Sequence, residues 1–120
     1  MAEKTIKWAD APTQDDIIDA AEALTLVGVE RVTLDQAPKL HPAKDLLRFA
    51  QLPALPQDNK GAAKWLKKIE NGNEVPPVLL VRGKLAIGLP LVIAEGYHRV
   101  SACYLLDEKT PVFGFFLSWA

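Results

Sequence analysis

The sequence predicts one α/β domain of the α+β kind, a small mixed sheet with flanking helices. Three observations carry that expectation. Helix-period apolar patterns are interleaved with short apolar runs along the chain. The runs in "PPVLLVRG" and "PLVIAEG" are too continuous for half-solvated strands and fit strands buried on both faces. A length of 120 residues at 49% hydrophobic and 24% charged suits one core of ordinary size without a covalent staple.

Residues 1–12 read as an arm with Trp8 as its anchor. "TQDDIIDAAEALTLVG" then predicts a helix. Thr13 is its N-cap, Asp15 and Asp16 sit in the first turn where the helix dipole favours negative charge, and Gly28 is its stop. Ile17, Ile18, Ala21 and Leu24 recur at helical spacing and form its expected inner face. "VERVTLDQ" is β-branched and alternating, and predicts a short strand that faces the core from Val32 onward. Prolines at 38, 42, 53 and 56 break up the segment after that strand. "HPAKDLLRFAQL" forms a short helix with Pro42 at its first position, and "PALPQDN" is a loop.

"KGAAKWLKKIENGN" predicts the second long helix, with Ala62, Trp65, Leu66 and Ile69 as its apolar stripe and Asn71 and Gly72 as its end. Lys60, Lys64, Lys67 and Lys68 take the other side, either as a solvated face or as a surface turned to an anion. Two strands come next, Val78 to Arg82 and about Leu89 to Ala94. The helix after them has Val100, Cys103 and Tyr104 on its inner side and ends near Asp107, and "TPVFGFFLSW" is a closing strand. That last run is a core strand, with an oligomer contact as the alternative. The N-terminal arm and helix, residues 1–29, are expected to precede a unit over 30–120.

Composition excludes several classes. Cys103 is the single cysteine, so neither a disulfide framework nor a multi-cysteine metal site is expected. A net charge of −1 exerts no global pull toward nucleic acid or anionic lipid. The first residues lack the apolar stretch of a signal peptide, and no run reaches the roughly 18 apolar residues of a membrane span. A cytoplasmic protein with no membrane partner is the expectation.

Chemistry concentrates in "PLVIAEGYHRVSACYLL", where a buried strand ends in Glu95, Gly96, Tyr97, His98 and Arg99 and runs straight into a helix. Carboxyl ends of strands in open α/β sheets are common ligand positions. Gly96 allows a sharp turn and close approach of a ligand. The first helical turn offers unpaired N–H groups and a positive dipole end, an anion site in waiting. His98 and Arg99 add donors, Tyr97 and Ser101 add hydroxyls, and Glu95 can act as a base or orient a hydroxyl. The competing reading is a capped helix whose His98 and Arg99 satisfy nearby carboxylates or carbonyls. Neither a Walker loop nor a dinucleotide fingerprint is present, since "GKLAIG" has the wrong spacing for both.

"IENGNEVPPVLLVRG" together with "LVIAEGYHRVSACYLLDEKTPVFGFF" resembles the ParB/sulfiredoxin superfamily (the ParB-like nuclease domain) as a stand-alone unit. "ERVTLDQAPKLHP" is similar to that family's opening strand and the proline-bearing segment after it. The likeness spans roughly residues 30 to 117. It implies a nucleotide at this junction, CTP, ATP or ADP, with Mg²⁺. Gly96, Tyr97, His98, Arg99 and Ser101 would stand around the phosphates, and Glu95, His98 and Asp45 would be the catalytic candidates. It implies phosphoryl transfer or hydrolysis, or alternatively a non-catalytic module that binds DNA or a protein partner.

The departures from the family narrow this. Sulfiredoxins carry their catalytic cysteine directly before the His-Arg pair, where this chain has Tyr97, and Cys103 falls at an apolar helical position. The CTP motif of partition proteins resembles Gly-Glu-Arg-Arg-x-Arg. "GYHRVS" keeps its glycine and one arginine, with Ser101 in place of the last. At 120 residues an operator-reading domain is not expected beside this unit. The free-serine kinases of the superfamily carry a motif like Asp-Gly-His-His-Arg, nearer to "EGYHR". "LHPAKD" offers His41 and Asp45 without the glutamate those enzymes place there. No clustered carboxylates for two metals are apparent in the sequence.

Overall fold

A computed structural model describes residues 6–26, 32–34, 39–84 and 89–119. The elements are α1 (Gln14–Leu26), β1 (Val32–Leu34), β2 (Lys39–Pro42), α2 (Ala43–Ala50), α3 (Lys60–Glu70), β3 (Val78–Lys84), β4 (Leu89–Glu95), α4 (Tyr97–Leu106) and β5 (Pro111–Trp119). The mixed α/β class expected from the sequence is the one observed. The sheet runs β1-β5-β3-β4, and β2 also pairs with β5. β5 lies parallel to β3, while the β1–β5, β2–β5 and β3–β4 pairs are antiparallel.

Both faces of the sheet are covered, which is why its strands read as unbroken apolar runs. Val78 and Leu80 join Val112, Ile93 and Leu91 on one face, against α2, α3 and α4. Leu79 and Val81 join Phe115, Leu117 and Ala94 on the other, against Ala20 and Ile17 of α1. All four residues from Val78 to Val81 are fully buried. The closing strand is indeed central, held by β3 on one side and by β1 and β2 on the other.

Local signals explain the elements that position the junction. Thr13 caps α1, its hydroxyl accepting the Asp16 N–H at 3.1 Å. Asn59 caps α3 by accepting from Ala62 N–H at 3.0 Å, and Gly72, at a φ of 76°, follows the helix end. The α3 stripe is the expected one: Ala62 and Ile69 are buried, and Trp65 and Leu66 pack against the core. The arm is anchored as well. Trp8 bridges Val75, with Ala9 N–H to Val75 O and Val75 N–H to Lys7 O both at 2.8 Å.

Two expectations need correction. Ile18 is 46% exposed, and α1 turns Ala20 inward instead. Lys39–Pro42 forms a strand of its own, so Pro42 is the N-cap of α2 rather than its first helical residue. Pro42 stands opposite Pro111 at the end of an outer ladder, where a missing N–H costs no inner hydrogen bond. Helix α2 is instead seated by backbone, with Ala43 N–H to Thr110 O and Lys44 N–H to Glu108 O at 2.9 Å. The expected stop at Gly28 and the inward side chains of β1 lie outside the described residues.

Candidate functional site

The strand-to-helix junction begins with a break in register. Leu80 pairs with Ile93, but Leu79 pairs with Glu95, so Ala94 is an extra residue in β4. Such a bulge re-aims the side chains beside it. Directly opposed residues share a face of a sheet, and Leu79 faces α1, so Glu95 does too. Without the bulge, alternation from Leu91 and Ile93 would carry Glu95 to the face of α2, α3 and α4.

The chain then turns at Gly96, whose φ of 111° lies in the left-handed region. A Cβ there would stand 2.5 Å from Val78 Cγ1, so glycine is required by space as well as by conformation. The Gly96 N–H donates to the Glu95 carboxylate. No side chain caps α4, and its first-turn N–H groups head the helix at Tyr97, His98 and Arg99.

Arg99 points inward and is 2% exposed. Its Nη1 donates to Pro76 O at 2.9 Å and Pro77 O at 3.2 Å. The same nitrogen lies 3.1 Å from Asp16 Oδ2, and Nη2 lies 3.5 Å from Glu95 Oε1. The guanidinium carbon sits 5.2 Å from the centre of the Trp65 ring. This is the side chain the sequence offers as a phosphate grip, and its fork is engaged by carbonyls, carboxylates and an indole.

Asp16, Asp19 and Glu95 bring carboxylate oxygens within 4.8 Å of one another. Among the described residues these are the side chains close enough to share a cation, and the Arg99 guanidinium already contacts two of them. Desolvation is the main force raising the Glu95 carboxyl above its ordinary value. Arg99 opposes it, Asp16 and Asp19 add to it, and the Gly96 N–H opposes it.

The hydroxyls hold a loop. Tyr97 Oη donates to Pro53 O, and Ser101 Oγ accepts from Leu55 N–H at 3.1 Å. Residues 53–55 are thereby tied to α4 from two successive turns. His98 is exposed and leans on the first turn of α3, where a Cβ at Gly61 would meet its Cδ2 at 2.2 Å. The amino ends of α3 and α4 therefore meet at the imidazole. Asp45, in the first turn of α2, pairs with Arg48 at 3.3 Å, and no described hydrogen bond or ion pair joins it to Glu95 or His98. Cys103 is fully buried, and burial pushes its thiol up to about 12, with Arg99 opposing.

The sequence cluster is thus parted in three directions. Glu95 and Arg99 join α1, Tyr97 and Ser101 join the 53–55 loop, and His98 joins α3. Sequence reading missed Asp16 and Asp19 as partners of the junction, because a helix's first-turn acids have a sufficient local explanation in the dipole. It also missed Gly61, whose role is to leave room for a ring distant in sequence. No described helix is long and apolar enough to cross a membrane. No family model matches the chain, and no curated protein or solved structure matches it either.

Proposed function

We propose that the chain binds the phosphate groups of a nucleotide at the amino end of α4, as a relative of the ParB/sulfiredoxin proteins its motifs resemble. One observation carries the reading: the uncapped first turn of α4 and the first turn of α3 converge on the exposed His98. Backbone N–H groups and two positive dipole ends suit an anion there. The exposed Lys60 and Lys64 on α3 add positive charge on that helix. CTP, ATP or ADP with Mg²⁺ are the ligands to try. In this arrangement His98 contacts phosphate, and Arg99 is a positioning residue that holds the junction from within.

A second reading, a binding module without catalysis, has its own observation. The carboxylates offered for acid–base work are engaged elsewhere, Glu95 toward α1 and Asp45 on Arg48. A phosphoryl-transfer enzyme needs such a group within reach of the reacting oxygen. The partner of such a module would be DNA or a protein, and the α3 lysines are the surface to test.

Thermal-shift titration with CTP, ATP, ADP and GTP, each with and without Mg²⁺, tests the first reading. A ligand at a hundred times its Kd stabilises by about 2.7 kcal/mol, an easily read shift. His98→Ala and Gly61→Ala should remove the shift while the protein stays folded. No stabilisation by any nucleotide sinks the phosphate reading. Stabilisation with no release of phosphate favours the module. A salt-dependent gel shift weakened by Lys64→Ala and Lys68→Ala would identify its partner as DNA.

A further inference from the structure

Among the described side chains of helix α1, Ala20 is fully buried, Ile17 is partly buried, and Ile18 is turned to solvent. The helix's polar attachment to the fold runs through Asp16, 3.1 Å from a guanidinium that is itself 2% exposed. The same contact point is crowded with like charge. Asp16 and Asp19 from α1 and Glu95 from β4 converge within 4.8 Å, and the cation facing them is Arg99 from α4. From β3, the residue opposite Glu95 is the apolar Leu79. With all three carboxyls ionised, two negative charges face the α1–β4 contact without a matching positive one among the described residues. In a partly desolvated place such charges repel strongly enough to favour uptake of a proton.

We propose that α1 is a proton-controlled strap: the Asp16–Asp19–Glu95 cluster docks it firmly when it holds one proton and loosens it when all three carboxyls are ionised. The proton resides on Glu95, the member contributed by the sheet, where it replaces one repulsion across the contact by a neutral carboxyl. Asp16 stays paired with Arg99. Undocking separates Asp16 and Asp19 from Glu95, so Glu95 returns toward ordinary carboxylate behaviour. The docked state therefore binds the proton more tightly than the undocked one. By linkage, the extra hold on α1 is fully present below the ordinary carboxylate range and is lost as pH rises through the higher value that Glu95 has when docked. Heat or denaturant is not needed for this step, because local opening of one helix is a low-energy event beside global unfolding. The cluster shares Arg99 with the nucleotide junction, but its carboxylates lie on the α1 face of the sheet, away from His98.

The test is amide hydrogen exchange on the whole chain between pH 4 and pH 8, expressed as protection factors so that the intrinsic pH dependence of exchange is removed. Amides of α1 should lose about fivefold in protection across the titration of the cluster, while those of α3 keep theirs. Glu95→Gln should hold α1 at its low-pH protection throughout. Asp19→Asn changes an exposed residue, leaves the fold intact and should move the midpoint to lower pH, because one repelling charge is gone. Protection in α1 that is flat with pH, or a midpoint that stays fixed in Asp19→Asn, overturns the proposal. Should Glu95→Gln fail to fold, the shift in Asp19→Asn decides alone.

Discussion

Replacing Arg99 by alanine should cost about 4.5–5.5 kcal/mol of stability, comparable to the lower end of the 5–15 kcal/mol that holds a domain of this kind. The figure is worked from the groups the guanidinium touches. Breaking a buried ion pair by removing one partner costs about 3–5 kcal/mol, because the other charge stays behind. Here the carboxylates of Asp16 and Glu95 retain side-chain exposures of 17% and 30%, so water can reach them and the lower half of that range applies. The carbonyls of Pro76 and Pro77 lose their donor, at about 1 kcal/mol or more between them. Loss of the contact with Trp65 adds about 0.5 kcal/mol. Arg99→Lys keeps the charge but cannot span two carbonyls and two carboxylates with a planar fork, and it should recover no more than half of the loss. Urea unfolding followed by tryptophan fluorescence measures all of this, with m checked for constancy. A double-mutant cycle with Asp16→Asn should return a coupling energy in the range of about 0.5–3 kcal/mol. If Arg99→Ala stays within about 1 kcal/mol of the parent, the side chain is not the hub of the junction. If it also loses nucleotide binding while folded, Arg99 is a ligand contact after all.

Other perturbations act on the same junction. Gly96→Ala must take a φ of 111° and place its Cβ 2.5 Å from Val78 Cγ1, so a loss of about 2–5 kcal/mol in urea unfolding is expected. Ser101→Ala leaves the part-buried Leu55 N–H without its acceptor, which should cost about 1–2 kcal/mol and speed hydrogen exchange at that amide. Native Cys103 should resist iodoacetamide at pH 8 and react on unfolding, since its thiol is buried and raised to about 12. Because the unfolded thiol ionises first, stability should fall as pH climbs from 9.0 toward about 12, and Cys103→Ala should flatten that limb.

The fold was legible where one element's own residues decide the outcome. Thr13 caps α1, the α3 stripe faces the core, and Cys103 is buried, all as the local patterns require. Misreadings arose where a distant partner decides. Ile18 fits the helical period as well as Ala20 does, yet the α1–sheet contact admits the small side chain and leaves the large one outside. The strand Lys39–Pro42 is short and ends in proline, so its pairing with β5 lends it a structure that its composition does not announce. For the candidate site, the sequence places Glu95 to Arg99 side by side, but proximity along a strand-to-helix junction does not mean a shared direction. Successive residues of a first helical turn diverge by about 100°. Tyr97, His98 and Arg99 accordingly reach the 53–55 loop, α3 and α1.

Glu95 owes its direction to a different cause, and that cause bears on what the junction can do. An acid on the α2–α4 face would share a face with His98 and with any phosphate bound at the first turn of α4, the arrangement that acid–base chemistry needs. The extra residue Ala94 sends it to the α1 face instead, where Leu79 opposes it and Arg99 holds it. Arg99 turns the same way for an electrostatic reason: two carboxylates on that side and two prolyl carbonyls beside them make the interior the better place for a guanidinium than the exposed helix end. Once Glu95 and Arg99 are drawn into one ion cluster, the exposed end of α4 keeps His98 and its backbone donors. Those groups can bind an anion, but Glu95 is no longer turned toward them. A single bulge thus separates the groups that attach α1 from the groups offered to a ligand.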